Sequence, residues 1–190
     1  MEEAQRKSFI QQILTSSDTL LSLVNNLLDS AKIESGKIEL FNEDLDLNDL
    51  VKSSVESYVL SATQKNINLE MDLDSSLPTL NLDSSKMTQV LNNLISNGLK
   101  YTPEGGNVSV HTSFSGEVVR LVVADTGRGV ADENKDSIFD KYKRMKKDDA
   151  TKGTGLGLTI SQGIVNAHGG KIWVEDNEPN GSRFIVELPV

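Results

Sequence analysis

Apolar residues recur at a helical spacing along the first part of the chain. Three apolar pairs lie seven residues apart, and further apolar residues fill the positions between them: Ile13/Leu14, Leu20/Leu21 and Leu27/Leu28, with Ile10, Val24 and Ala31. This pattern predicts one long amphipathic helix over residues 5–34, with an apolar stripe wide enough for a helix bundle. Ser35-Gly36 is a helix-stop signal. Since a single helix cannot bury such a stripe, we expect another copy, an absent segment or the following domain to cover it.

Residues 37–190 alternate with a period of two instead. This alternation predicts half-buried strands over 66–73, 107–114, 117–125, 171–176 and 183–188. The last two strands read as a hairpin that turns at Asn180-Gly181.

Helical patterns separate these strands. They cover residues of about 47–64, 84–100 and 156–168. Asp46 and Asn48 are the expected caps of the first helix, and Asp83 that of the second. Strands mixed with helices predict an α/β fold, a two-layer sandwich.

Composition excludes several classes of function. The chain of 190 residues has no cysteine and two histidines, which rules out disulfides and thiolate metal sites. Its net charge of −9 argues against nucleic acid as a partner. No apolar run reaches bilayer length and the first twenty residues do not read as a signal peptide, so we expect a cytoplasmic location; a membrane anchor elsewhere in a parent protein stays open.

One segment departs from the acidic average. Between Arg128 and Lys152 there are eight Lys or Arg and six Asp or Glu, and five of these basic residues lie in "KYKRMKK" (141–147). The run is either a solvated loop or a local anion-binding site.

The stretch "KGTGLGLT" (152–159) carries alternating glycines before a predicted helix. It does not follow a strand directly, and it lacks the Gly-Lys-Ser/Thr ending of a P-loop. Because glycine has no side chain, the backbone amide groups can approach an anion closely. The positive N-terminal end of the following helix would face the same anion. Leu156 and Leu158 would anchor the turn to the core. The alternative is a flexible hinge.

Two further motifs carry polar chemistry. In "ADTGRGV" (124–130), Asp125 stands at a strand end before Gly-x-Gly, where its carboxylate could accept a hydrogen bond from an exocyclic amine such as that of adenine; an acidic turn is the alternative. In "QVLNNLISNGLKYTP" (89–103), Asn93 and Asn97 lie one helical turn apart, a spacing at which amide oxygens can hold Mg²⁺ with water and phosphate. Lys100 could reach phosphate. Ordinary polar surface is the alternative for this helix.

The motifs, taken in this order, resemble those of the catalytic and ATP-binding domain of sensor histidine kinases, within the superfamily of gyrase, Hsp90 and MutL. The helix around Asn93 and Asn97 resembles the N box, "DTGRGV" the G1 box, "FDKYKRM" (139–145) the F box and "GTGLGL" the G2 box. The resemblance covers residues 37–190. It implies a Bergerat-type sandwich with ATP between the helices and the sheet.

The resemblance also implies roles for single residues. Asp125 would bind adenine, Asn93 and Asn97 would position Mg²⁺, and Asn93 and Lys100 would serve catalysis. Residues 139–152 would form a mobile lid whose basic run faces the triphosphate. The implied nucleotide contacts are Asn93, Asn97, Lys100, Tyr101, Asp125, Gly127, Gly129, Val130, Phe139, Tyr142, Arg144, Gly153, Thr154, Gly155, Leu156, Gly157 and Leu158.

The first part of the chain, residues 1–36, resembles the second helix of the family's dimerisation and phosphoacceptor hairpin, through "NNLLDSAKIESGKIEL" (25–40). The first helix, with its phosphoacceptor histidine before an acidic residue, is absent from this sequence. His111 and His168 do not match that motif: His111 reads as a surface strand residue and His168 as a helix-end residue. The resemblance implies three partners: the absent helix, a second copy through the 5–34 helix, and the receiver domain of a response regulator.

The expected function is transfer of the γ-phosphoryl group of ATP to a histidine outside this sequence, so we expect this chain alone to be inactive in self-phosphorylation. A superfamily ATPase clamp and a non-catalytic, ATP-gated interaction module are the alternatives. ATPases of the superfamily carry a Glu one turn before the Mg²⁺-binding Asn, as the general base for water. This chain has Asn93 there, which favours phosphoryl transfer over hydrolysis.

Overall fold

The computed structural model describes residues 3–141, 143 and 155–190, and its elements follow the sequence pattern closely. In chain order they are α1 (Glu3–Glu34), β1 (Glu43–Leu45), α2 (Leu47–Gln64), β2 (Asn68–Leu73), β3 (Leu80–Leu82), α3 (Ser84–Tyr101), β4 (Asn107–Phe114), β5 (Val118–Asp125), α4 (Asp132–Lys135), a 3₁₀ turn (Ser137–Phe139), α5 (Gly157–Ala167), β6 (Lys171–Asp176) and β7 (Ser182–Pro189). The four longer helices and the five longer strands were all predicted.

A five-stranded mixed sheet forms one layer, with the order β2-β4-β5-β7-β6. β2 runs parallel to β4, and the other neighbours are antiparallel. The last strand of the sheet in sequence, β7, therefore lies inside it, between β5 and β6. A second sheet consists of β1 and β3 alone, with Glu43 opposite Leu82.

Helices α2, α3 and α5 form the other layer. The apolar residues of α3 recur every three or four positions and are fully buried: Met87, Val90, Leu91, Leu94 and Ile95. They share one core with alternate residues of the central strands, Val108, Val110, Leu121 and Val123. Burial of one face of each element against the other layer confirms the two-layer α/β sandwich.

The opposite face of the sheet carries polar side chains. Arg120 on β5 lies 2.9 Å from Glu187 on β7. His111 on β4 is half-buried, with Nε2 at 2.9 Å from Ser109 Oγ and Nδ1 at 3.7 Å from Asp72 Oδ2. His111 is thus a residue of the outer strand surface, as predicted.

The predicted caps are only partly correct. Asp46 caps α2 through a 2.8 Å hydrogen bond from the backbone N–H of Asn48, and Asp83 caps α3 by accepting from that of Lys86 at 3.0 Å. The expectation that Asn48 is also a cap is wrong. Asn48 lies inside α2 and is buried, where it donates to the carbonyl of Asp74 and accepts from the hydroxyl of Thr112, both at 2.8 Å.

The described contacts of helix α1 with the sandwich lie at its C-terminal end. Asp29 accepts from Lys86 at 3.0 Å and from Gln89 at 2.8 Å, both on α3. Ile33 packs on Gly163 of α5, where a Cβ would come within 2.6 Å of two Ile33 side-chain carbons. Glu34 forms an ion pair with Lys141. The division of the chain into two domains at residue 36 stays a prediction.

The remaining apolar side chains of α1 face outward. At least half of each of the following is exposed: Phe9, Ile10, Ile13, Leu14, Leu20, Leu21, Leu27 and Leu28. The described part of the chain therefore leaves the predicted apolar stripe uncovered. Among the same residues, no helix is both long enough and apolar enough to cross a bilayer.

Candidate functional site

The candidate site centres on Asp125, the last residue of β5. Its side chain is 5% exposed, and Oδ1 accepts a 2.8 Å hydrogen bond from the backbone N–H of Gly127. Burial raises the pKa of this carboxyl, and the backbone hydrogen bonds from Gly127 and Ser182 oppose the rise only in part. Carboxyl groups whose pKa is shifted by burial are common at functional sites, so Asp125 is a candidate functional residue.

Glycines enclose Asp125 because side chains do not fit there. A Cβ on Gly127 would lie 2.6 Å from the carbonyl oxygen of Tyr101 and 2.7 Å from Asp125 Oδ1. A Cβ on Gly181, which has a φ of +121°, would lie 1.8 Å from the carbonyl oxygen of Asp125. Gly129 has a φ of +71°. The backbone of the "DTGRGV" turn is thus tightly packed, against the end of α3 at Gly127 and against Gly181 at Asp125.

Gly181 and Asn177 are site residues that the sequence patterns did not reveal. Asn177 donates through Nδ2 to the carbonyl of Asp125 at 2.9 Å. Both belong to the β6–β7 turn, whose Asn180-Gly181 pair predicted only a hairpin. They contact Asp125 because β7 pairs with β5. The residues of the turn itself do not indicate that pairing.

Asn93 joins the N-box helix α3 to the G2 helix α5. Its Nδ2 donates to the carbonyl of Gly157 at 3.1 Å and to Ser161 Oγ at 3.3 Å. These two bonds occupy the nitrogen of the amide and leave Oδ1 as its acceptor. Asn97 lies one turn further along α3 and is half-buried.

The donor set at Asn93 and Asn97 fits a hard cation. Amide oxygens are suitable ligands for Mg²⁺, which keeps several waters and takes phosphate oxygens in nucleotide sites. Within residues 3–141, 143 and 155–190, no group of three or more His, Cys, Asp or Glu could form an all-protein metal cage. A cation at these asparagines would therefore depend on water and phosphate to complete its coordination.

The glycine-rich stretch turns into α5 beside Asn93. Gly155 has a φ of +71°, and a Cβ on Gly157 would lie 3.2 Å from Asn93 Oδ1. Leu156 is 2% exposed and belongs to the core, and Leu158 packs against it. The predicted role of the two leucines as core anchors is confirmed.

The first residue of the F box, Phe139, also contacts α5. Phe139 is buried, and its carbonyl accepts from Thr159 Oγ1 at 2.7 Å. Val130 is half-buried against the same core.

Tyr101 lies at the end of α3 between the N-box and G1 elements. Its ring centroid is 4.8 Å from Lys100 Nζ and 4.8 Å from the guanidinium carbon of Arg128. The structure thus brings together the described members of the predicted set, which belong to α3, the end of β5, the 3₁₀ turn and the start of α5. Four predicted residues, Tyr142, Arg144, Gly153 and Thr154, lie outside the described residues, as does most of the expected lid at 139–152.

Both histidines lie away from these residues. His168 caps the C-terminal end of α5, where Nε2 accepts from the backbone N–H of Asp83 at 3.0 Å and Nδ1 lies 2.9 Å from the carbonyl oxygen of Ile164. This arrangement requires the neutral ring with its proton on Nδ1. An eleven-residue helix is about 16 Å long, so the ring is remote from the N-terminal end of α5. His111 lies on the other face of the sheet.

The match to a family model decides the assignment. Residues 82–190 match the model described as "Histidine kinase-, DNA gyrase B-, and HSP90-like ATPase". The chain belongs to this family. It is 32% identical over 191 residues to the adaptive-response sensory kinase SasA of Thermosynechococcus vestitus, a match that covers 100% of this chain and 50% of that kinase.

Solved structures of histidine kinases share the fold. Full-length ShkA in complex with AMPPNP superposes with a TM-score of 0.85 at 34% identity, over 100% of this chain and 40% of that one. Histidine kinase ThkA, in complex with the response regulator protein TrrA, superposes with a TM-score of 0.71 at 26% identity, over 100% and 52%. The fold is that of the ATP-binding catalytic domain of sensor histidine kinases. The chain spans half or less of the length of the curated relatives that it matches.

Proposed function

We propose that this chain binds ATP with adenine against Asp125 and presents the γ-phosphoryl group for transfer to a histidine. The buried carboxylate of Asp125 is the observation that carries this proposal. A carboxylate can accept about four hydrogen bonds, and backbone amides of Gly127 and Ser182 provide two. The remaining capacity suits the exocyclic amine of adenine, and burial strengthens that hydrogen bond.

The phosphates would extend from Asp125 toward the start of α5. The first backbone N–H groups of a helix have no partner within the helix, and the helix dipole favours negative charge there. Gly155 gives the backbone access to the ligand, and Lys100 at the end of α3 contributes a positive charge. Gly153 and Thr154 would continue this phosphate-binding turn.

Asn93 and Asn97 would hold Mg²⁺ through their amide oxygens. The bonds from Asn93 Nδ2 to α5 fix the amide, so that its oxygen is oriented by the protein rather than by the ligand. When bound, Mg²⁺ neutralises phosphate charge in the transfer step. The contribution of the chain is to bind, orient and shield the reacting group, as is usual in phosphoryl transfer.

Transfer to a histidine outside residues 1–190 is favoured over hydrolysis. An amide such as that of Asn93 cannot accept a proton from water, so the position of the general base in superfamily ATPases is inert here. His168 uses both ring nitrogens in hydrogen bonds within the domain, and His111 lies across the sheet. Neither imidazole is placed in line with a phosphate at the start of α5.

The partners follow from α1 and from the relatives. The outward apolar face of α1 suits a helix bundle, formed with a second copy or with the phosphoacceptor helix. The complex of ThkA with TrrA supports a response regulator as the protein that receives the phosphoryl group. A net charge of −9 makes nucleic acid an unsuitable partner, and we propose a cytoplasmic location for the domain.

The test uses the chain alone and with an added acceptor. Calorimetry should show binding of Mg-ATP and Mg-ADP. Incubation with γ-labelled ATP should leave the chain unlabelled and release little phosphate, whereas a second protein that carries the phosphoacceptor helix of a histidine kinase should gain acid-labile label. Stoichiometric label on His111 or His168, or rapid phosphate release, would contradict the proposal.

A further inference from the structure

The carbonyl oxygen of Asp125 is bound by a side chain at the point where the sheet ends. The ladder between β5 and β7 finishes with Ala124 opposite Arg183, so Asp125 is beyond its last pair. Asn177, directly after β6, supplies the donor instead: its Nδ2 lies 2.9 Å from the carbonyl oxygen of Asp125. Because a buried carbonyl without a donor is costly, this hydrogen bond stabilises the end of β5.

Asn177 is itself held by the turn that it begins. Its backbone N–H donates to the carbonyl of Gly181 at 3.1 Å, which closes the β6–β7 turn. Gly181 packs on the same carbonyl oxygen of Asp125, since a Cβ on Gly181 would come within 1.8 Å of it. The closed turn therefore orients the amide of Asn177 before any ligand binds.

The same turn also leads to a contact with the carboxylate of Asp125. The backbone N–H of Ser182, the first residue of β7, donates to this carboxylate, and that of Gly127 donates to Oδ1 at 2.8 Å. Asp125 is thus bound twice from neighbouring residues of one segment, at its carbonyl by Asn177 and at its carboxylate by Ser182. These two attachments restrict how the carboxylate can rotate.

Recognition of an exocyclic amine depends on such an orientation. Hydrogen bonds weaken steeply when the donor and the acceptor are misaligned, and adenine carries its amine in the plane of a rigid ring. A site that is built to hydrogen-bond a ligand group rejects an analogue without that group, because its own polar atoms are then left unpaired. A carboxylate that could tilt would discriminate less between the two ligands.

We propose that Asn177 is a positioning residue for base selectivity: it holds the end of β5 so that the carboxylate of Asp125 is aligned with the 6-amino group of adenine. Asn177 acts through Asp125 and not through a contact of its own with the nucleotide. This inference rests on the proposed binding of adenine at Asp125. It gives a role in recognition to the β6–β7 turn, which carries none of the four family motifs.

The test compares Asn177→Ala with Asn180→Ala by calorimetry at constant Mg²⁺. The two ligands are ATP and purine riboside 5′-triphosphate, an analogue with hydrogen in place of the 6-amino group. Asn180 is the matched control, because it is an exposed asparagine of the same turn. Asn177→Ala should weaken ATP about fivefold, the scale of one hydrogen bond, and the analogue less than about twofold. Asn180→Ala should change neither affinity.

Two further variants separate the hydrogen bond from the shape of the side chain. Asn177→Asp keeps nearly the same shape but places an acceptor against the carbonyl of Asp125, so it should reduce the preference for ATP at least as much as Asn177→Ala. In an Asp125→Asn background the effect of Asn177→Ala on ATP affinity should shrink, because the aligned carboxylate is gone. Parent-like preference in Asn177→Asp, or an undiminished effect in the Asp125→Asn background, would overturn the inference.

A measurement on the unliganded chain gives a readout that does not depend on nucleotide. Burial raises the pKa of the Asp125 carboxyl, and the hydrogen bonds from Gly127 and Ser182 oppose that rise. If Asn177 holds the carboxylate against Ser182, Asn177→Ala should raise this pKa further, and Asn180→Ala should leave it unchanged. Carboxyl NMR titration measures both, and an unchanged pKa in Asn177→Ala would show that Asn177 does not orient the carboxylate.

The outcomes separate the two proposals. If the parent prefers ATP to the analogue and Asn177→Ala weakens both ligands equally or neither, the inference is wrong while the proposed function stands. Equal effects of Asn177→Ala and Asn180→Ala would also overturn it, since they indicate a general effect on the turn. If the parent binds the two ligands equally, or binds neither, the adenine contact at Asp125 is wrong and the inference fails with it.

Discussion

The backbone N–H of Asp83 donates to His168 Nε2 across 3.0 Å and joins the start of α3 to the end of α5. The carboxylate of the same Asp83 accepts from the backbone N–H of Phe41 at 2.9 Å and from that of Lys86 at 3.0 Å. One residue therefore connects the segment after α1, the N-box helix and the G2 helix. The two helices that carry Asn93 and Gly157 are held together at this end by Asp83.

Asp83→Asn should destabilise the fold in a pH-dependent way. Burial tends to raise the pKa of the Asp83 carboxyl, but the hydrogen bonds from Phe41, Lys86 and Ser85 outweigh it and hold the pKa below the ordinary value of 3.8. The amide would place a donor against a backbone donor, at a cost of about 1–3 kcal/mol near neutral pH.

The sign of the pH dependence follows from the lowered pKa. The ionised Asp83 carboxylate contributes its full stability above the unfolded value of 3.8, and that stability is lost as the pH falls through the folded pKa. Urea unfolding at several pH values should show the difference between parent and variant shrinking below about pH 4. A difference that stays constant down to pH 2 would indicate that the charge of Asp83 is not involved.

Asp125→Asn should weaken nucleotide binding more than it lowers the stability of the unliganded chain. Asparagine keeps an oxygen for the N–H of Gly127, but its NH₂ group would face the donor amine of adenine, which costs about 1–3 kcal/mol of binding free energy. Calorimetry with ATP gives the first quantity, and thermal unfolding without ligand gives the second. A variant that loses both binding and melting temperature would show structural damage instead.

The burial of Asp125 also predicts how the stabilities of the parent and of the Asp125→Asn variant depend on pH. Because the folded pKa of Asp125 is raised, the contribution of this group to stability is fully present below the unfolded value of 3.8 and is lost as the pH rises through the folded pKa. Because asparagine does not ionise, the Asp125→Asn variant does not lose this stability. The variant should therefore gain stability relative to the parent as the pH increases across the acid range.

Asn93→Ala and Asn92→Ala should differ sharply although the two residues are adjacent. Asn93→Ala leaves the carbonyl of Gly157 and the buried Ser161 Oγ without their donor, so we expect a loss of about 1–3 kcal/mol and weaker binding of Mg-ATP. The Oδ1 of Asn92 is buried and has no hydrogen-bond partner among the described residues, so its removal should cost little. Denaturant unfolding and calorimetry of both variants measure the contrast, and equal losses would argue against a specific role for Asn93.

The effect of Gly163→Ala on stability should change sign with the residue at position 33. In the parent, a Cβ would come within 2.6 Å of the Ile33 side chain, so the substitution should push the end of α1 away from α5. With Ile33→Ala the space opens, and the higher helix propensity of alanine should stabilise α5 by up to about 1 kcal/mol. Hydrogen exchange of residues 28–34 and thermal unfolding of the four chains complete the cycle. Additive effects would show that Ile33 and Gly163 do not restrain each other.

The sequence predicted those parts of the fold that burial makes periodic. The fully buried face of α3 produces its own spacing, and the predicted helix at 84–100 differs from the observed one by a single residue. The strands β1 and β3 were not predicted, because three residues are too few to show a period. They form by pairing with each other, although α2 and β2 lie between them in the sequence.

Long-range contacts account for the other differences. Asn48 has the residue type of a cap, but its hydrogen bond to Thr112 places it inside the fold, and no pattern around residue 48 indicates that partner. The same reason applies to the site. Asp125, Asn93 and Gly157 stand in recognisable motifs, whereas Gly181 and Asn177 contact Asp125 from the β6–β7 turn, which no motif marks.

The internal position of β7 determines when the sheet can be completed. β7 pairs with β5 on one side and β6 on the other, and its residues are synthesised after all the rest of the sandwich. Since ribosomes add about 5–20 residues per second, β5 waits several seconds for its partner, with one edge of backbone donors and acceptors unpaired. Such an unpaired edge is open to wrong pairing, and this one carries Asp125 at its end. The carboxylate of Asp125 is therefore enclosed last, when Gly181 arrives with the final hairpin.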